Sequence, residues 1–208
     1  LHALTWPLLT KPDGSKYGKT AGGETIWLSS EKMSPYRFYQ AWISVDDSEV
    51  RKLLLQLTFL SPEEIDDLVT EHDQHPENRL GQRTLAKELT TIVHGEQAAA
   101  SAAEASDLLF DPSADISAVS QSALEFISGE VPSTQTQTIQ MGIIDCLVET
   151  GLCQSRKDAK RAITEGGIYV NGERVNEADS SLTADHLLHG KYILLRRGKK
   201  LWHLLTSG

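Results

Sequence analysis

Lys16-Tyr17-Gly18-Lys19-Thr20 is the stretch of this sequence whose residue types and spacing suggest chemistry first. Two lysines three apart, with Gly18 permitting close backbone approach, can close over a polyphosphate and neutralise charge growing on a leaving pyrophosphate. Such help raises a rate only where it is stronger in the transition state than in the ground state. A phosphate-binding P-loop reads G-x-x-x-x-G-K-[ST] and must run into a helix. Gly18-Lys19-Thr20 supplies its end, but the first glycine would fall on Asp13, Gly14 is one residue late, and Ala21-Gly22-Gly23 is a poor helix start. Taken alone, the pentapeptide reads first as a surface loop with two solvated lysines.

The second constellation is basic. Residues 1–140 carry 10 Lys+Arg against 21 Asp+Glu, whereas residues 141–208 carry 10 against 8. In the tail, Arg156 and Lys160 are four apart, as are Lys157 and Arg161, so four cations share one side of a helix. Arg174 follows a turn, and Arg196, Arg197, Lys199 and Lys200 crowd the last one. Such clusters fit phosphate contacts, which supply affinity without reading sequence. A solvated surface, partly paired to Asp158 or Glu165, is the alternative.

The elements that must position these groups follow from pattern. The chain has 208 residues with 39% hydrophobic and 24% charged, the composition of a folded soluble protein. No apolar run reaches the length of a membrane helix. The N-terminal LHALTWPLLTKPDG lacks a basic region and a small-residue cleavage site, so no signal peptide is expected. Residues 3–10 read as a short buried strand, and Ile26, Trp27 and Leu28 as an apolar anchor. Helices are predicted over 35–44, from Asp47 or Ser48, from Ser61-Pro62-Glu63-Glu64 with its capping box, over 80–94, and over 96–110. A short helical piece is expected at 124–127, and 129–138 (GEVPSTQTQT) has the composition of a linker. The tail reads as helices 141–150 and from Ser155 to Glu165, a strand at 168–170, a hairpin at Asn171-Gly172, and a last hairpin around Arg197-Gly198. The expected architecture is mostly α with a small α+β tail.

The stretch HALTWPLLTKPDGSKYGKTAGGETIWL, followed by SPYRFYQAW, resembles the bacterial tyrosyl-tRNA synthetase family, class I aminoacyl-tRNA synthetases. There the "KMSKS" signature takes the form K-[FY]-G-K-[ST], preceded by a DG turn and followed by Gly-Gly. The likeness continues through Leu85-Ala86 and Val93-His94-Gly95-Glu96. It then reaches Ser155-Arg156-Lys157-Asp158-Ala159-Lys160-Arg161 and Gly166-Gly167-Ile168-Tyr169-Val170-Asn171-Gly172, which look like the small RNA-binding module named after ribosomal protein S-four. The resemblance implies that residues 1–33 end a class I nucleotide-binding fold, 34–128 form a helical anticodon-binding domain, and 139–208 form the RNA-binding module. It also implies tyrosine–tRNA ligase activity. Lys16 and Lys19 would be catalytic, and Lys16, Gly18, Lys19 and Thr20 would hold ATP. ATP would be a substrate with Mg2+, with no prosthetic group. Further expectations are tRNA-Tyr as partner, a cytoplasmic location, and a homodimer formed mostly through upstream regions. Arg156, Lys157, Lys160, Arg161, Arg174, Arg196, Arg197, Lys199 and Lys200 would face RNA.

The other class I signature, an H-x-G-H-type element, is absent. His186-Leu187-Leu188-His189-Gly190 has the wrong spacing. The chain is therefore expected to be the C-terminal half of a longer ligase and to be inactive alone. The rival is a non-catalytic RNA-binding module. Lys32-Met33-Ser34 spells part of the signature but precedes Pro35, so it reads as structural. The seven histidines show no metal constellation, and His72 and His75 read as solvated. Cys146 reads as a small core residue, and two cysteines make no disulfide framework. Trp6, Trp27 and Trp42 read as core, while Trp202 suits either core or stacking.

Overall fold

The computed structural model describes residues 2–5, 8–10, 14, 17, 18, 23, 25–111, 114–137 and 139–208. Trp6, Lys16, Lys19 and Thr20 lie outside the described residues. The chain divides into two compact units, 1–103 and 104–208.

The first unit is helical. Its helices are α1 (Pro35–Ile43), α2 (Asp47–Leu57), α3 (Pro62–Gln74), α4 (Leu80–His94) and the first half of α5 (Glu96–Phe110). Starts follow the capping signals. Ser34 accepts from the Arg37 amide with Pro35 behind it, and Ser61 and Glu64 form the reciprocal capping box. Helix α4 is central, packed by α1, α2 and α3. Its Leu85, Ala86 and Leu89 meet a core that includes Phe38, Val50, Leu53, Leu54 and Ile65. Met33 is buried at the entry to α1, consistent with the structural reading of Lys32-Met33-Ser34.

Three expectations fail in this unit. The described residues of 2–10 form no strand, and Leu4 is 95% exposed; nothing among the described residues pairs with this segment as a ladder. Trp27, 42% exposed, and Leu28 are no core anchor; Lys32 Nζ lies 4.0 Å from the Trp27 ring centroid. His72 is only 2% exposed, not solvated, with its Nε2 3.4 Å from Asp47 Oδ1. It falls seven residues after Ile65, on the inward stripe of α3.

The second unit contains the end of α5, α6 (Gln121–Glu130), α7 (Ile143–Glu149) and α8 (Arg156–Thr164). Its strands are β1 (Ser133–Thr136), β2 (Met141–Gly142), β3 (Ile168–Val170), β4 (Glu173–Arg174), β5 (Ser181–Leu182), β6 (Tyr192–Arg197) and β7 (Leu201–Ser207). The main sheet has the order β1-β7-β6-β3-β4, and β2 pairs with β5 separately. Asn171 and Gly172 both have positive φ, as a tight I′-type hairpin requires. The Asn171 side chain donates to His186 O and accepts from Leu194 N, which pins the turn to the rest of the unit. The core joins Ile143, Leu147, Ala159, Ile163, Ile168, Ile193, Leu195 and Leu205.

The linker expectation is corrected in part. Helix α6 runs to Glu130, and residues 133–136 form β1, paired in parallel with β7 from Ser133↔Leu204 to Thr136↔Ser207. A polar strand serves here because it lies on the sheet edge, with Thr134 Oγ1 2.9 Å from the buried His203 Nε2. The compact units also part within α5 and not at residue 129.

Candidate nucleic-acid interface and signature loop

Two sets of groups matter, one in each unit. In the first unit the described part of the signature is Tyr17 and Gly18. Gly18 has φ +131°, a backbone state that side chains rarely adopt, and its carbonyl accepts from Ile26 N at 2.8 Å. Tyr17 N donates to Leu9 O at 3.0 Å, its ring stacks on Trp42 at 6.3 Å, and its hydroxyl donates to Glu49 Oε2 at 3.1 Å. Burial and then the Glu49 charge push the phenol well above its ordinary range, so it stays a donor.

In the second unit the nine expected cations divide by what they already hold. Arg197 is committed to the fold. Its Nη1 and Nη2 donate to the two Asp158 oxygens at 2.7 and 2.9 Å, and Nη1 also reaches Leu152 O at 2.8 Å. This fork, with the Gln154 amide next, lowers the Asp158 carboxyl to about 2. Arg161 pairs with Asp158 at 3.0 Å and with Glu165 at 4.0 Å, and Arg156 pairs with Asp145. Among the described residues, Lys157, Lys160, Arg174, Arg196, Lys199 and Lys200 have no carboxylate within ion-pair distance.

Strand alternation explains why adjacent arginines differ. Arg197 points to the face that carries α8, so it meets Asp158. Arg196 therefore points to the opposite face. There the register sets Arg174, Tyr169, Arg196 and Trp202 side by side across β4, β3, β6 and β7. The Arg196 guanidinium carbon lies 4.2 Å from the Tyr169 ring centroid and 5.1 Å from that of Trp202. Rings on both sides restrain this cation while leaving its charge uncompensated.

Arg174 connects the two faces. Its guanidinium lies over Gly166, at the C-terminal end of α8; a Cβ on Gly166 would fall 1.5 Å from Arg174 Nη2. Gly166 also has φ +71°. The nine cations are thus not one cluster. They form a helix group on α8, a sheet group around Arg196, and a turn group at Lys199 and Lys200, with Arg174 between the first two. Tyr169 was not singled out from the sequence; its two-residue offset from Gly167 and its pairing opposite Arg196 are signals only once the register is known. The physical capacity is clear: six uncompensated cations, with two aromatic rings, can receive an anionic chain.

The family profile described as tRNA synthetases class I (W and Y) matches residues 1–111, more than half of the chain. The chain belongs to the class I tRNA synthetases. The profile of the tyrosine–tRNA ligase SYY-like C-terminal domain matches residues 123–205. The chain is 45% identical over 202 residues to the tyrosine–tRNA ligase of Geobacillus stearothermophilus, covering 97% of this chain and 48% of that relative. It is 42% identical over 204 residues to the tyrosine–tRNA ligase of Opitutus terrae, covering 96% and 47%. A solution structure of a tyrosyl-tRNA synthetase C-terminal domain is 34% identical and covers 46% of this chain and 97% of that one, with a TM-score of 0.39. The chain spans about half the length of the curated relatives it matches. The resemblance read from residues 16–20, 85–96 and 155–172 is borne out for the family. Because the synthetase match begins at residue 1, a module made only of the helical and basic regions is disfavoured.

Proposed function

We propose that the full-length protein carrying this chain is a tyrosine–tRNA ligase. It activates tyrosine with ATP, releases pyrophosphate, and transfers the tyrosyl group to tRNA-Tyr. The observation that carries this reading is the match across 97% of the chain to proteins named for that activity. In this reading Lys16 and Lys19 neutralise charge on the departing pyrophosphate, Gly18 lets the backbone approach the phosphates, and Thr20 supports the loop. Mg2+ arrives with ATP as part of the substrate. Residues 1–33 close the nucleotide-binding domain, 34–128 recognise the anticodon region, and 139–208 grip the tRNA backbone through the RNA-binding module. The full-length protein works as a cytoplasmic homodimer.

Within the RNA-facing set, the ion-pair pattern supports a ranking. Lys157, Lys160, Arg174, Arg196, Lys199 and Lys200 contact phosphate directly. Arg156 and Arg161 contribute less, because phosphate must compete with their carboxylates. Arg197 holds the fold through Asp158 and makes no RNA contact. In full-length protein, Lys19→Ala should slow tyrosyl-adenylate formation by about 100- to 1,000-fold, the effect of losing one preorganised contact worth roughly 2.7–4 kcal/mol. Tyrosine affinity should stay unchanged. An unchanged adenylation rate with weakened tyrosine binding would refute the role of the loop. The chain alone should show no tyrosine-dependent exchange of pyrophosphate into ATP.

A further inference from the structure

Glu49 lies on α2, far in sequence from the signature, and is only 6% exposed. A buried carboxylate needs partners, since an unpaired charge away from water is costly. Its partners are the Tyr17 hydroxyl at 3.1 Å and Lys52 Nζ at 3.6 Å, one helical turn along. Lys52 Nζ in turn donates to Thr10 O at 2.6 Å. The pair thus grips the chain at two points, residues 10 and 17. Trp42 on α1 backs the Tyr17 ring. Nothing in the signature itself calls for this arrangement. A glycine-rich loop whose backbone is free to move would otherwise lose much entropy on meeting its ligand.

We propose that Glu49 and Lys52 are positioning residues that clamp the signature loop to α2 through Tyr17 and Thr10. Tyr17 lies between Lys16 and Lys19 in the chain, so fixing it limits the backbone states from which the two lysines can reach phosphate. Preorganised charge is worth more in a transition state than charge that must first be ordered. The catalytic consequence rests on the ligase reading; the clamp itself does not.

The test uses full-length protein in three forms: wild type, Tyr17→Phe and Glu49→Gln. Tyr17→Phe keeps the stacked ring and removes only the hydroxyl. Amide hydrogen exchange at Tyr17 and Ile26, whose amides donate to Leu9 O and Gly18 O, should quicken about tenfold or more in both variants. That is the scale of a hydrogen bond to a charged group. Amides within α4 should keep wild-type exchange, which shows that the helical unit remains folded. Unchanged exchange at Tyr17 and Ile26 in Tyr17→Phe would overturn the clamp. In the same preparations, tyrosine-dependent pyrophosphate exchange should lose kcat by about tenfold with KM for tyrosine unchanged; a rise in that KM at constant kcat would overturn the positioning role. The hydrogen-exchange arm decides the clamp whether or not the wild type activates tyrosine, so the two readings fail separately.

Discussion

Replacing Lys157 and Lys160 together by alanine should change how tRNA binding responds to salt, by an amount set by the ion pairs of the second unit. Of its ten lysines and arginines, nine are the expected RNA-facing set, Lys191 lying instead on the Tyr192 ring; of those nine, Arg156, Arg161 and Arg197 already hold carboxylates. Six remain for phosphate. Each contact releases counterions and adds about −0.7 to −0.9 to the slope of log affinity against log salt, so the wild type should give a slope of about −4 to −5. The double variant should be shallower by about 1.4–1.8. Between 50 and 200 mM salt, the wild type's advantage over the variant should therefore shrink roughly tenfold. Arg197→Met is the control: it removes the same kind of charge but should leave the slope where it was, because that charge never reaches phosphate. The assay is a salt titration of tRNA binding by filter retention or fluorescence anisotropy, with cognate and non-cognate tRNA. The lysine variant should weaken both alike, since phosphate contacts carry no sequence information. Equal slopes for wild type and double variant, or an Arg197→Met slope as shallow as that of the double variant, would refute the division into free and committed cations.

Two further outcomes follow from the same geometry. The folded Asp158 carboxyl is lowered to about 2, chiefly by Arg197, so its stabilising effect is complete above its ordinary value near 4 and is lost as pH falls toward 2. Thermal denaturation should show wild type losing stability through that window, while Asp158→Asn starts lower at neutral pH and lacks this part of the acid limb. Burial pushes the Cys146 thiol up to about 12 and raises that of Cys153, so both should resist iodoacetamide at pH 8 in the native state and react in denaturant. Arg197, whose Nη1 lies 3.5 Å from the Cys153 Sγ, acts against burial by lowering that thiol, so Arg197→Met should leave native Cys153 no more reactive than in wild type.

Local signals in the sequence were enough to locate the helices. Ser34-Pro35, Ser61-Pro62 with Glu64, and Gly95 mark ends whose chemistry is complete within four residues, and the structure places helix boundaries there. The Asn171-Gly172 turn was legible for the same reason. What escaped depends on distant partners. β1 is all Ser, Thr and Gln, so hydrophobic alternation could not reveal it, although Thr at every second position suits a strand. Residues 3–10 carry strand-like apolar residues but find no ladder among the described residues. The candidate site was legible as a set of cations but not as a working surface. Whether an arginine is left unpaired or is held by the fold is decided by Asp145, Asp158 and Glu165, and by which face of β6 it leaves. Spacing along the chain cannot show either. The contact of Glu49 with Tyr17 was invisible in the sequence because it spans 32 positions.

The parallel pairing of β1 with β7 has a mechanical consequence. Ser133 lies opposite Leu204 and Thr136 opposite Ser207, so the chain enters the first strand at the end where the last strand is still approaching its terminus. Tension applied between the segment before β1 and Gly208 runs along both strands in opposite senses. It loads the whole ladder in shear, and its bonds must yield together rather than unzip one at a time. Residues that look like a slack tether in composition therefore act as a fastener. A cut at residue 137 would leave the sheet edge without its outermost strand, whereas a cut before residue 131 would carry the fastener with the domain.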